Sequence, residues 1–246
     1  MNEKTVGILG GMGPEATIDL MTRIVKATPA VDDIDHIHVV VDNDPKVPSR
    51  IRALIERTGE SPLPHLQRMA LKLAHWGVDF LAIPCNTAHY YHEGIQRVVN
   101  IPVLNMVDLT VEAMVARNPG LKTVGILASI AVLDLKLYEK RFSENSIELL
   151  RPSDDFQAGV MGAIRKIKTG HYGAETVSVV QSAADHLVKR GAGALLIACT
   201  ELSVIGRAIE TPVPCYDSAQ VLAEAIVRTA RGETVPPEEE ADEGMA

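Results

Sequence analysis

Apolar residues along the chain gather in short, nearly unbroken runs separated by longer amphipathic stretches. Phe80-Leu81-Ala82-Ile83 and Leu195-Leu196-Ile197-Ala198 show no alternation with polar residues. That pattern belongs to strands buried on both faces, as in parallel sheets covered by helices. It predicts strands over Lys4–Leu9, His36–Asp42, Asp79–Pro84, Val103–Asn105, Lys122–Leu127, Ile147–Leu149, Ala194–Ala198 and Val213–Tyr216. Helical spacing fills the gaps over Glu15–Lys26, Ser49–Arg57, Pro64–His75, Val107–Arg117, Asp134–Glu144, Asp154–Ile167, Glu175–Arg190 and Ala219–Arg231. Strands alternating with helices imply an α/β fold with mainly parallel sheets.

The pattern also repeats. Thr5-Val6-Gly7-Ile8-Leu9 returns 118 residues later as Thr123-Val124-Gly125-Ile126-Leu127. The run ending at Cys85 returns 114 residues later as the run ending at Cys199, and Ile101-Pro102-Val103 is echoed by Thr211-Pro212-Val213. The period is too long for a solenoid. It predicts two similar α/β lobes, each a mainly parallel sheet flanked by helices, related by a pseudo-twofold axis with the site between them. The expected division is residues 1–105 plus 217–232 for the first lobe, the last helix crossing back, and 106–216 for the second. Residues 233–246, rich in Glu and without apolar periodicity, are expected to be a disordered acidic tail.

The repeat places Cys85 and Cys199 at equivalent strand ends, where open α/β sheets bind their ligands. Cys85 opens Cys85-Asn86-Thr87 and Cys199 opens Cys199-Thr200-Glu201. If each turn starts a helix, the dipole and free N–H groups there favour thiolate over thiol. Cys215, in an apolar setting of its own, reads as a buried small hydrophobe. Three widely spaced cysteines argue against a disulfide framework, and their spacing does not suit zinc. The turn Gly10-Gly11-Met12-Gly13-Pro14 departs from dinucleotide and P-loop patterns. It reads instead as a tight turn with proline at the first helical position, its N–H groups able to approach a small anion.

Composition narrows the partners. The formal net charge of −8 disfavours nucleic acid, and no apolar run approaches the roughly 18 residues that span a bilayer. Without a secretory signal pattern after Met1, the expected location is the cytoplasm, where thiols stay reduced.

Taken together, Leu9-Gly10-Gly11-Met12-Gly13-Pro14-Glu15-Ala16, Pro84-Cys85-Asn86-Thr87-Ala88-His89 and Ala198-Cys199-Thr200-Glu201-Leu202 resemble the cofactor-independent aspartate/glutamate racemase family. The resemblance spans roughly Lys4 to Arg231. Gly-Gly-Met-Gly in place of Asp-Ser-Gly, and Cys199-Thr200-Glu201 in place of Cys-Thr-His, point to its aspartate racemase branch. It implies no cofactor, pyridoxal phosphate included, a homodimer, and a small acidic amino acid as substrate. It further implies that Cys85 and Cys199 are the catalytic pair, acting on opposite faces of the α-carbon. Met12, Gly13, Asn86, Thr87, Thr200 and Glu201 are then expected around the substrate. Arg50 and Lys168 are expected on its side-chain carboxylate, although Pro48-Ser49-Arg50 stands where the branch often has Pro-Asp-Arg. Arg52, Arg165 and Lys166 read as solvated helix-face charges. His89 would either tune the Cys85 site or cap the following helix. A maleate isomerase or hydantoin racemase of the same fold, or a non-catalytic protein binding small acids, remain alternatives.

Overall fold

A computed structural model describes residues 3–233 of the chain. Except for Glu233, the expected acidic tail lies outside the described residues.

Two parallel sheets carry the fold. The first contains β1 (Val6–Gly10), β2 (Val39–Asn43) and β3 (Phe80–Ala82) in the order β2-β1-β3. The second contains β4 (Thr123–Ala128), β5 (Glu148–Leu150), β6 (Ala194–Ala198) and β7 (Cys215–Asp217) in the order β5-β4-β6-β7. In each sheet the earliest strand is flanked by the next two in sequence. The registers correspond: Val6 lies opposite Phe80, and Val124 opposite Ala194. The expected strand at Val103–Asn105 is reduced to a single bridge between Val103 and Leu81. The two bonds of that bridge are Leu81 N–H to the Pro102 carbonyl and Leu104 N–H to the Leu81 carbonyl, both at 2.8 Å, while the Val103 N–H turns away from β3 to Gln96 Oε1 at 2.8 Å.

Helices α1 (Pro14–Ala27), α2 (Leu63–Trp76), α3 (His92–Gln96), α4 (Met106–Arg117) and α5 (Ile130–Asp134) precede α6 (Glu139–Glu144), α7 (Asp154–Lys168), α8 (Ala174–Lys189), α9 (Thr200–Ile205) and α10 (Ser218–Arg231). Successive strand residues face opposite layers, so each sheet has an apolar core on both sides. Phe80 and Ala82 pack with Leu222 and Ile226 of α10; Leu81 and Ile83 pack with Leu66 and Met69 of α2. In the second sheet Leu195 and Ile197 meet Ile164 of α7 and Leu187 of α8. Leu196 and Ala198 meet Val111 of α4 and Phe142 of α6. Burying one such aliphatic side chain contributes about 1.5–3 kcal/mol, so these runs hold both sheets. Through this cluster α10 packs on the first sheet.

Two expected helices differ. Asp134–Glu144 is broken into α5 and α6 by a turn in which Lys136 has φ +51°. The turn brings Tyr138 fully into the interior. Ser49–Arg57 forms one helical turn and then a wide π-type turn over Arg52–Glu56, closed by Arg57 at φ +55°.

Candidate active site

Pro14 occupies the first turn of α1, with Gly13 in extended conformation as its N-cap, as the Gly-rich turn predicts. Gly11 has φ +89°, and a Cβ there would collide with the Asp44 backbone, so this close approach requires glycine. The Gly11 N–H is not free for an anion, because it donates to Thr17 Oγ1 at 2.9 Å.

This turn, the end of β3 and the end of β6 converge on one cleft between the sheets. Met12, Arg50, Cys85, Asn86, Thr87, Lys168, Cys199, Thr200 and Glu201 line it, with Ser49, Ile51, Ser129, Ile164 and Ala198. Gly13 is not among the lining residues; a Cβ on it would stand 3.8 Å from Glu201 Oε1. Arg52, Arg165 and Lys166 are exposed away from the cleft. Ser129 is absent from the expected set, although the 118-residue repeat marks it as the counterpart of Gly11. It caps α5, and its Oγ lies 3.4 Å from Thr87 Oγ1.

Bonds to residues distant in sequence fix the two cysteine turns. Thr200 Oγ1 donates to the Pro84 carbonyl at 3.0 Å. Asn86 accepts from the Tyr138 hydroxyl at 2.5 Å and donates to Ser218 Oγ at 3.0 Å. Behind Cys199, the buried Arg23 of α1 donates to the Ser203 carbonyl of α9 at 2.6 Å. It also bridges Asp19 at 2.6 Å and Asp217 at 3.0 Å. Thus α9, which Cys199 opens, is pinned to both sheets.

The electrostatics of Cys199 overturn the expected thiolate. Its Sγ donates to Glu201 Oε2 at 3.1 Å. Burial first, and then the Glu201 charge, push the thiol well above its ordinary range. The magnitudes explain the outcome. A helix end offers about 0.3–1 kcal/mol, whereas burying a charge costs several kcal/mol, and α9 is only six residues long. Cys85 opens no regular α-helix; a 3₁₀ turn over Thr87–Tyr91 follows it.

Three charged side chains reach the cleft. Arg50 donates to the carbonyls of Pro48 at 3.0 Å, Val47 at 3.3 Å and Met12 at 3.3 Å. No carboxylate among the described residues pairs with it. Lys168, partly exposed, lies 3.5 Å from Glu201 Oε1. Glu201 is 5% exposed, and that oxygen accepts no hydrogen bond among the described residues.

His89 acts behind the wall. Its Nε2 accepts the Met106 N–H at 3.0 Å at the start of α4, so Nδ1 carries the proton and donates to the Cys85 carbonyl at 2.9 Å. Burial lowers its pKa to about 4 and keeps it neutral. The ring thus ties the Cys85 carbonyl to the start of α4, rather than capping α3, the helix that follows it. The expectation of a buried Cys215 is corrected: as the first residue of edge strand β7 it is exposed, outside the cleft. No group of three or more metal-ligating side chains is assembled among the described residues. Nor is any helix among them long and apolar enough to cross a membrane.

A profile described as Asp/Glu/hydantoin racemase matches residues 9–226. The chain is 29% identical over 234 residues to the broad specificity amino-acid racemase RacX of Bacillus subtilis, covering 91% of this chain and 97% of that protein. Picrophilus torridus aspartate racemase superposes with a TM-score of 0.78 at 30% identity, covering 95% of this chain and 96% of that one. Francisella tularensis glutamate racemase, solved with D-glutamate, shares the fold at TM-score 0.65 and 18% identity, covering 94% of this chain and 82% of that one. With its family profile spanning both sheets and the cleft between them, the chain belongs to the Asp/Glu/hydantoin racemase family.

Proposed function

We propose that this racemase interconverts the enantiomers of an acidic amino acid, aspartate first, by proton transfer between two cysteines. The observation that carries the reading is the cleft itself, with two thiols from equivalent strand ends and two cations in one wall. An α-hydrogen is a very weak acid, so its removal requires a base held against it and donors for the charge that develops. With its proton held on sulfur against Glu201, Cys199 is the acid of the enzyme form that acts first. Cys85, as thiolate, takes the α-proton: the Cα–H bond breaks and an S–H bond forms. Its electron pair moves toward the α-carboxylate, and the Cys199 proton is delivered to the opposite face of Cα. The reverse reaction exchanges the roles. The Thr87 and Ser129 hydroxyls and the second amide proton of Asn86 are the donors available to hold the α-carboxylate, the Thr200 hydroxyl proton being already given to Pro84, with Met12 closing the apolar side.

Arg50 supports the choice of an acidic substrate. It is a cation in the wall whose donors meet only carbonyls, and a carboxylate there would gain charge-assisted bonds. We take residues 1–105 with 217–232 and residues 106–216 as the two lobes. We further propose a homodimer, supported by the exposed apolar row Ile18, Met21 and Val25 on α1. The three free cysteines suit a reducing compartment such as the cytoplasm. The test is a substrate panel read by chiral chromatography. Aspartate or glutamate should be racemised far faster than alanine, and Cys85→Ala or Cys199→Ala should abolish the reaction. Alanine turned over as fast as aspartate would overturn the substrate assignment.

A further inference from the structure

The buried Glu201 carboxylate has one oxygen engaged by a thiol and one that accepts no hydrogen bond among the described residues. Among those residues Glu201 is the only carboxylate lining the cleft, and its free oxygen is 3.5 Å from a lysine that is itself partly exposed. A carboxylate this deeply buried is held there only if a cation or donors compensate it, and at 3.5 Å the Lys168 compensation is loose. We propose that Glu201 Oε1 is the receptor for the substrate's ammonium group, making a free amine a requirement of this site. The proposal rests on the acidic amino-acid reading and deepens it.

The geometry describes an exchange of partners. Without substrate, Lys168 and Glu201 neutralise one another. An incoming amino acid brings one ammonium and, if acidic, a side-chain carboxylate. The ammonium takes Oε1, and the displaced lysine is released toward the carboxylate, so one loose ion pair becomes two. A ligand lacking the amine frees nothing. To use Lys168 it must break the existing pair and leave Glu201 buried and uncompensated. The same argument disfavours hydantoins, whose ring nitrogens are neutral amides and offer no cation to this oxygen. Within a family that spans amino acids and hydantoins, Glu201 would thus select the open-chain amine.

The test compares L-aspartate with succinate, which has the same two carboxylates and no amine, by calorimetric titration of the full chain and of Glu201→Gln. N-acetyl-L-aspartate, its amine turned into an amide, serves as a second probe. Wild type should bind aspartate at least about tenfold more tightly than either probe, the factor for one charge-assisted hydrogen bond. In E201Q the ratio should fall to near one, chiefly because the freed Lys168 strengthens succinate binding. Glu201→Asp, whose carboxylate is drawn back by one methylene, should give an intermediate ratio and covers the case in which E201Q does not fold. Equal binding of aspartate and succinate by wild type, or an unchanged ratio in a folded variant, would overturn the proposal. Failure of wild type to bind any of the three acids would instead bring down the acidic-substrate reading beneath it.

Discussion

Replacing Tyr138 with Phe removes one hydroxyl from a fully buried ring and leaves its shape. That hydroxyl donates to Asn86 Oδ1 at 2.5 Å, and Asn86 is 2% exposed. Water cannot readily replace the lost donor, so the variant bears the cost of an unsatisfied buried carbonyl, about 1–3 kcal/mol. For a chain of this length each kcal/mol moves Tm by about 2–4 °C, so melting should fall by roughly 2–12 °C. A double-mutant cycle isolates the pair. In an Asn86→Ala background the acceptor is already gone, and Tyr138→Phe should cost little or even recover stability, because it removes a hydroxyl left without its partner. The coupling should be about 1 kcal/mol or more. Because the bond joins the turn before α6 to the Cys85 turn, Tyr138→Phe should also raise KM for aspartate more than it lowers kcat. A wild-type melting temperature for Tyr138→Phe, or additive effects in the cycle, would refute the reasoning.

Three further outcomes are expected. Arg50→Ala and Lys168→Ala should each raise KM for aspartate by about tenfold or more, the loss of one charge-assisted interaction; steady-state kinetics on both enantiomers would show it. Although Cys215 is exposed, the protein around the sheet edge partly desolvates its sulfur and the Asp217 charge lies close by, which together raise the thiol to about 11, so its alkylation by iodoacetamide should be slow at pH 8 and climb toward pH 11. Cys215→Ser should keep full activity, both followed by mass mapping and rate assays. His89, held neutral in the fold by a pKa of about 4 against the ordinary 6.5, takes up its proton more readily in the unfolded chain. Its contribution is therefore complete above about pH 6.5 and is lost as the pH falls toward 4, by up to about 3 kcal/mol. Urea melts across that range should be flatter for His89→Gln than for wild type.

Much of this is legible in the sequence because strands buried on both faces are written as apolar runs, and the 118-residue repeat marks the first strand of each sheet. The cysteine turns are legible for the same reason, since each ends a flanking strand. What escapes reading is set by contacts distant in sequence. Nothing near Lys136 announces a left-handed residue, so the break that seats Tyr138 beside Asn86 has no local signal. The Cys199 thiol differs from expectation because helix position is visible in a sequence and burial against Glu201 is not. Cys215 sits in an apolar-looking segment whose strand becomes a sheet edge, and only the strand order reveals that. Ser129 has a signal of its own: carrying the repeat two residues past its last match leads from Gly11 to it.

The isotope content of the first product tests the two-cysteine account most directly. L-Aspartate would be incubated with wild-type enzyme in heavy water and stopped after a few per cent conversion, and both enantiomers analysed by chiral chromatography with mass detection. Two bases on opposite faces predict D-aspartate carrying solvent deuterium at Cα while the remaining L-aspartate is still protiated, and no D-aspartate from Cys85→Ala or Cys199→Ala. D-aspartate that retains the original protium would mean one group carries the proton across both faces, and either alanine variant forming it at the wild-type rate would remove that cysteine from the chemistry.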